Sequence, residues 1–345
     1  MFASENIKEL YAYIDTDNPL ACWEVAIGRV RSADDRDKNF GISSWMYNRL
    51  KKFAKLQDKL YNSLEQWDNI IENENLKDCL KNKYQKTRLS DKNQIQAELD
   101  LLTTQIRNEF HLEHIRKNYF PNEVSRFTGV FFFESLKDAK NAIKKWFNCE
   151  SMQQEKLKNI VNVHFLANHC SKVDSNWILK KINQNDDNND WMHHYWSGVC
   201  YFNIPYKLED PIFELIVSGI GKIQGKSLRE HAYQKAKLAG KNFDIFLETA
   251  IWGFYCDVSK DIGLSKFALL YSPKTQEVEG HFYIYMDDYK NKHILNKISN
   301  IMNKNKVKCT PINESIINFQ MPDQREESFS LSLKDIKTFE LFNEI

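Results

Sequence analysis

A short apolar run in the middle of the chain places the strongest constraint on its fold. Residues 129–133, GVFFF, are aromatic and β-branched, which is typical of a buried β-strand. Arg126 stands just before this run. Ser135 follows it at the head of a helical pattern, with Asp138 three residues later in the manner of a capping box. The sequence therefore predicts a strand, a turn and a helix in succession, with a cation at the entrance to the strand.

The composition indicates a folded globular protein. The chain has 345 residues, of which 42% are hydrophobic, enough for one large domain or two smaller ones. Its formal net charge of +1 creates no global field for nucleic acid or for an anionic membrane. The seven cysteines are scattered and form no CxxC, which favours free thiols over a disulfide framework or a zinc ribbon.

Two further features bear on location. No stretch approaches the ~20 apolar residues of a membrane span, and the N-terminus has no classical signal peptide. We therefore expect no membrane partner. The protein is expected to be cytoplasmic, or to be delivered into a host or target cell by a specialised secretion system.

Two amphipathic patterns predict a helical hairpin. Apolar residues recur at helical spacing from about Trp45 and again from Ile95 to Phe110. A polar gap separates the two patterns, and Ser90 or Asp91 is the predicted cap of the second helix. We interpret residues 40–117 as a helical insertion.

The segment after the hairpin is predicted to consist mainly of short strands with one helix. Strands are expected at 159–166 and at 211–225, the latter bounded by Pro211 and by a turn at Ser218-Gly219. The aromatic segment 190–204 is partly alternating, so His193 and His194 would point apart on a strand and are not expected to bind a metal. An α+β region is expected over 239–345.

A glutamate interrupts one of these strands. Glu214 lies among apolar neighbours in IFELIVSG, where a carboxylate is costly to bury without partners. Because side chains alternate between the two faces of a strand, Glu214 at an edge facing water is an equally good interpretation. Arg126 has its own structural alternative, a salt bridge to Glu123 or Glu134.

The segments PNEVSRFTGVFFFESLKDAK, HYWSG and FELIVSG, in this order, resemble ADP-ribosyltransferases, including a bacterial group assigned to that superfamily. The resemblance covers roughly residues 119–225, with LYAYI as a plausible first strand. It implies an α+β fold with a split mixed β-sheet core. Residues 1–35 would give the first strands, 118–238 the core, and 239–345 a C-terminal region for target recognition.

The resemblance also implies a chemistry and its residues. NAD would be the substrate, no metal would be needed, and Glu214 would be catalytic, because a carboxylate stabilises the oxocarbenium-like transition state. Arg126 would bind the pyrophosphate or a ribose. The other predicted NAD contacts are Ser125, Thr128, Phe133, Tyr195, Trp196 and Tyr11.

The sequence departs from the family pattern at two places. Ala12 stands where many members have a histidine in the first strand, and Ile212 stands where the arginine-directed toxins have Glu or Gln. A literal Glu-x-Glu occurs instead at Glu277 and Glu279, which makes a rival catalytic pair. Motifs for a dinucleotide-binding fold, a P-loop and a nucleophile elbow are absent from the sequence.

We therefore expect a bacterial mono-ADP-ribosyltransferase acting as a toxin, effector or defence protein. Its partner would be a macromolecular acceptor, protein rather than nucleic acid, together with an inhibitor or antitoxin. Two alternatives stay open: an NAD glycohydrolase on the same fold, and a non-catalytic interaction protein that docks through the hairpin and the C-terminal region.

Overall fold

The computed structural model describes residues 7–16, 19–33, 42–71, 78–147, 149–185, 189–203, 207–208, 210–238, 264–272, 274–285, 308–311, 316–320 and 329–332. The helices of this part are α1 (Pro19–Ile27), α2 (Ser44–Ile71), α3 (Asp78–Tyr119), α4 (Leu136–Trp146), α5 (Glu150–Leu157), α6 (Asn176–Lys181), α7 (Asp190–Trp196) and α8 (Lys226–Leu238). The strands are β1 (Ile7–Tyr13), β2 (Arg29–Arg31), β3 (Val130–Phe132), β4 (Ile160–Asp174), β5 (Phe202–Asn203), β6 (Lys207–Leu208), β7 (Phe213–Ile223), β8 (Leu264–Ser272), β9 (Glu277–Tyr285), β10 (Lys308–Pro311), β11 (Ile316–Gln320) and β12 (Phe329–Ser332). The fold class is α+β, as predicted.

The first sheet has the strand order β1-β4-β7-β2, and β3 pairs with β7 beside β2. Tyr11 of β1 and Phe133, just after β3, also exchange two backbone hydrogen bonds of 2.9 and 2.7 Å. The strands β1, β4, β7 and β3 therefore close into a ring. All described strand pairs are antiparallel, so the predicted mixture of parallel and antiparallel pairing is not found in this part of the chain.

The predicted turn at Ser218-Gly219 is wrong, because β7 continues through it to Ile223. The register between β7 and β4 shifts at this point, at a β-bulge between Ala167 and His169 of β4. Gly219 has a φ of +141°, and a Cβ there would lie 2.1 Å from the carbonyl oxygen of Leu166. The glycine therefore marks a close approach of two strands within the sheet and not the end of a strand.

The helical hairpin exists and packs directly on this sheet. Arg49 contacts Glu109 and Lys52 contacts Glu98, so α2 and α3 run antiparallel. The predicted cap at Ser90 or Asp91 is wrong, because α3 runs unbroken from Asp78 to Tyr119. Apolar residues of both helices belong to the same buried cluster as the strands. The hairpin and the sheet share this core, while the proposed domain boundaries stay a prediction.

Three local expectations have clear outcomes. The strand expected at 159–166 is found as the first part of β4 (Ile160–Asp174). Ser135 caps α4 as predicted, since its side chain accepts a 3.1 Å hydrogen bond from the backbone N–H of Asp138. The segment 190–196 is helix α7 and not a strand, so the prediction that His193 and His194 point apart on a strand is wrong.

A second sheet lies in the C-terminal region. It has the order β10-β11-β9-β12, and β8 pairs with β9. Much of the α+β region expected over 239–345 lies outside the described residues. Among the helices that the structure describes, none combines the length and the apolar character needed to cross a membrane.

Replacement of Gly219 by alanine tests the close approach of β7 and β4. We expect Gly219→Ala to lower the free energy of unfolding by about 3 kcal/mol or more, because the new Cβ adds a clash to the backbone strain. Gly225→Ala is the matched control, since Gly225 also has a positive φ of +101° but its nearest neighbour would lie 3.9 Å away. Chemical denaturation measures the free energy of unfolding of both variants. Equal losses in the two variants would contradict the close approach of β7 and β4 at Gly219.

Candidate functional site

A cavity of about 660 Å³ is lined in part by strands of the first sheet and contains the two groups that the sequence singled out. Arg126 and Glu214 both line it, together with Thr128 and Phe133 from the predicted set. Cavities that bind small molecules and cofactors are of this size. The structure thus brings the catalytic candidate and the predicted anion-binding residue to the walls of one cavity.

Glu214 is a buried carboxylate at the start of β7. It is 8% exposed and pairs across the sheet with Val173 of β4. Its carboxyl group makes no hydrogen bond to any residue within the described part of the chain. The interpretation of Glu214 as a water-facing edge residue is therefore wrong. Its carboxylate remains available to a ligand in the cavity.

The environment of Glu214 favours its protonated form. The pKa of Glu214 is raised to about 7. Burial is the main cause, and the carboxylates of Asp174 and Glu109 act in the same direction. The Arg126 guanidinium opposes them by lowering this pKa. Asp174 is held in place by the backbone N–H groups of Tyr201 and Ile212, at 2.9 Å each. A carboxyl group with a pKa near neutrality can gain or lose its proton at physiological pH.

Arg126 owes its position to a glutamate on the hairpin. Its Nε and Nη2 donate to the two carboxylate oxygens of Glu109 at 2.9 and 3.1 Å, a bidentate pair. Its Nη1 donates to the Tyr195 hydroxyl at 2.6 Å. The alternative of a salt bridge to Glu123 or Glu134 is wrong, since Arg126 pairs with Glu109 and Glu134 pairs with Lys172. Arg126 therefore has a structural partner that the sequence interpretation missed.

Aromatic rings complete the surroundings of Arg126. Its guanidinium carbon lies 5.1 to 5.4 Å from the ring centroids of Trp45, Phe131 and Tyr195. Burial is the largest effect and acts to lower the pKa of Arg126, but Glu109, Tyr195 and Glu214 together outweigh it and the net pKa is raised. The cation is permanent, and it is 7% exposed.

Four predicted NAD contacts do not line the cavity. Ser125 donates to Glu113 at 2.8 Å, and Tyr11 donates to Glu9 at 3.2 Å. Tyr195 and Trp196 are fully packed in a second apolar cluster, where the Trp196 Nε1 donates to the Leu112 carbonyl at 2.9 Å. The expectation that either ring stacks on nicotinamide in this cavity is therefore wrong, because both lie in helix α7 facing the core.

The sequence interpretation missed three residues of the cavity and its support. Arg49 and Trp45, on the first turns of α2, line the cavity, and Glu109 of α3 lies behind Arg126. Glu109 follows Ile106 by three positions, so it falls on the buried stripe of an amphipathic helix. An acid on such a stripe signals a buried cationic partner, and this signal was present in the sequence.

A second carboxyl group, Glu24 of α1, also lines the cavity. It is half-buried, and burial raises its pKa to about 8. The rival pair, Glu277 and Glu279, is exposed on β9 and does not line the cavity. No group of metal-binding side chains was found among the residues that the structure describes.

Comparison with known proteins identifies the family of this chain. A model of the family described as protein of unknown function (DUF2441) matches residues 33–224, which include α2, α3, β3, β4 and β7. No curated protein was found to match, and no solved structure was found to match.

The Arg126–Glu109 pair can be tested by a double-mutant cycle. We expect Arg126→Met to lower the free energy of unfolding by about 3–5 kcal/mol, because it leaves Glu109 buried with only the weaker contact to Arg49. The double variant Arg126→Met/Glu109→Leu should recover much of this loss, since no buried charge is left without a partner. Additive losses in urea denaturation would show that the two groups do not depend on each other.

The raised pKa of Glu214 predicts a pH-dependent stability. The folded-state pKa of about 7 exceeds the ordinary glutamate pKa of 4.5, so between these values the folded protein binds more protons than the unfolded chain. Its stability therefore falls as pH rises through this window and levels off above it. Glu214→Gln should be more stable than the wild type at pH 8, by roughly 3 kcal/mol at most, and the difference should disappear near pH 4.5.

Denaturation midpoints of the wild type and Glu214→Gln at both pH values measure this effect. Glu279→Gln is the matched control, because Glu279 is exposed on β9. A Glu214→Gln variant with the same stability difference at pH 4.5 and pH 8 would contradict the burial argument.

Proposed function

The chain belongs to the DUF2441 family, and we propose that it is a mono-ADP-ribosyltransferase that cleaves NAD at the nicotinamide–ribose bond and transfers ADP-ribose to a macromolecular acceptor. The observation that supports this proposal most is the placement of Glu214 and Arg126 on one cavity. The order of the segments around Arg126, Tyr195 and Glu214, which resembles ADP-ribosyltransferases, supports it as well.

The properties of Glu214 suit the proposed reaction. As the bond between ribose C1″ and the nicotinamide nitrogen breaks, its electron pair leaves with nicotinamide and positive charge develops on the ribose. A fixed carboxylate in a poorly hydrated site stabilises that charge without reorganisation. The nucleophile of the acceptor then forms its bond to C1″ and releases a proton. Glu214 lies on a central strand, between β4 and β3, so its position is rigid.

The cavity also offers surfaces for the rest of the dinucleotide. Phe131, Phe133 and Trp45 provide aromatic faces, and Thr128 provides a hydroxyl. Rings of this kind stack on flat heterocycles. The cavity therefore contains the apolar and polar groups that a nucleotide ligand needs.

The biological role is part of the proposal. A toxin, effector or defence protein would modify a macromolecule of its target cell, and the C-terminal region with β8 to β12 would select the acceptor. An inhibitor or antitoxin would protect the producing cell. The protein would act in the cytoplasm or be delivered by a secretion system.

An NAD glycohydrolase is the second candidate, with water in place of the acceptor. The burial of Glu214 supports it equally, because the first bond cleavage is the same. Incubation with labelled NAD and a cell lysate separates the two, since only a transferase attaches label to macromolecules. Free nicotinamide with no labelled macromolecule would favour the glycohydrolase, and no cleavage of NAD would favour the non-catalytic interaction protein.

Substitution of Glu214 tests the catalytic assignment. We expect Glu214→Gln to lower kcat for NAD cleavage by about 100-fold or more, because an amide cannot stabilise the developing charge. In the wild type, kcat should rise about tenfold between pH 6 and pH 8 as Glu214 ionises around a pKa of about 7. Nicotinamide release measured against pH gives both numbers.

The matched controls are Glu277→Gln and Glu279→Gln on β9. Both should retain wild-type rates and the same pH profile. Loss of activity in either of them, with Glu214→Gln still active, would assign catalysis to the rival pair.

A further inference from the structure

Arg49 is one of three arginines that line the cavity, with Arg31 and Arg126, and its hydrogen bonding is incomplete. It lies one turn after Trp45 on α2, and both side chains line the cavity. Its Nη1 contacts one oxygen of Glu109 at 3.2 Å, and no other hydrogen bond is found for it among the described residues. Its side chain is 22% exposed, whereas that of Arg126 is 8% exposed. Arg49 is therefore a cation that a ligand in the cavity can reach more easily than Arg126.

Arg49 and Arg126 have only one carboxylate, Glu109, within hydrogen-bond distance among the described residues, so their two positive charges are not fully balanced there. Glu109 is one carboxylate shared by two guanidinium groups, and Arg126 occupies both of its oxygens. Burial and the neighbouring Arg126 both lower the pKa of Arg49, while Glu109 opposes them. Of the acids that line the cavity, Glu214 and Glu24 both have raised pKa values, which favour their neutral forms. A second anion in the cavity would balance this charge.

Trp45 adds a flat surface beside this cation. Arg49 lies 5.0 Å from the centroid of its ring, and the ring Nε1 donates to the Arg126 carbonyl at 3.1 Å, which fixes the orientation of the indole. The half-buried ring lines the cavity. An anion site and an orientated aromatic face side by side suit a ligand that carries phosphate and a flat ring.

We propose that Arg49 is the phosphate-binding residue of the cavity, with Trp45 as the adjoining face for a ring of a nucleotide, and that Arg126 supports both from behind. The class of ligand is a nucleotide with a diphosphate; that this nucleotide is NAD rests on the proposed function. Arg126 is then a positioning residue, because Glu109 and Tyr195 already use its nitrogens.

Calorimetric titration with inorganic pyrophosphate and with ADP-ribose tests the assignment. We expect Arg49→Gln to weaken the binding of both probes by about tenfold or more, because a charge-assisted hydrogen bond is lost. The control is Lys52→Gln, which removes one positive charge from the same helix at an exposed residue outside the cavity. It should bind both probes like the wild type. Equal affinities of the two variants, or no binding of either probe by the wild type, would overturn the proposal.

A measurement on the wild type covers the case in which Arg49→Gln does not fold. Phenylglyoxal modifies accessible guanidinium groups, and peptide mapping reports the rate at each arginine. Saturating ADP-ribose should slow modification of Arg49 by about tenfold, while Arg88, an arginine of α3 that does not line the cavity, should react unchanged. An unprotected Arg49 would contradict the assignment.

The same preparations separate this inference from the proposed function. Binding of pyrophosphate that depends on Arg49, without NAD cleavage, would support the phosphate site and remove the ADP-ribosyltransferase proposal. NAD cleavage that depends on Glu214, with full ADP-ribose affinity in Arg49→Gln, would support the ADP-ribosyltransferase proposal and contradict the phosphate site at Arg49.

Discussion

A guanidinium group buried beside a β-sheet needs an anion, and the rest of this structure is arranged around that requirement. Glu109 meets it from α3, with a bidentate contact to Arg126. The pair ties the hairpin to the entrance of β3, and the backbone carbonyl of Arg126 holds the Trp45 indole. One ion pair thus fixes the positions of a helix, a strand and an aromatic wall of the cavity.

The same region holds the carboxyl group of Glu214, and burial disfavours its charged form. Glu214 has a raised pKa because its desolvation and the nearby acids outweigh the attraction of Arg126. Such a group lowers stability at neutral pH, and perturbed groups of this kind cluster at functional sites. The contrast within one cavity is informative: Arg126 is satisfied by protein groups, whereas Glu214 and Arg49 retain bonding capacity toward a ligand.

The sequence predicted the local units well wherever short-range chemistry decides them. The apolar run GVFFF contains β3, Ser135 caps α4, and the alternating LYAYI lies at the end of β1. It failed where tertiary contacts override the local pattern. Gly219 suggested a turn but allows β7 to approach β4 closely, and the aromatic segment around His193 folded as α7 because its rings pack into a core cluster. Ser90 and Asp91 suggested a cap inside what is one long helix.

The sequence by itself determined that Arg126 and Glu214 are anomalies, because a charge among apolar neighbours is visible without coordinates. It could not determine how each anomaly is resolved. The partner of Arg126 is 17 positions away on a helix, and Arg49 reaches the cavity from a different helix, so neither contact follows from spacing along the chain. Electrostatic pairing depends on distance in space. Only the packing of the hairpin on the sheet therefore decided that Arg126 is neutralised by Glu109 while Arg49 faces the cavity.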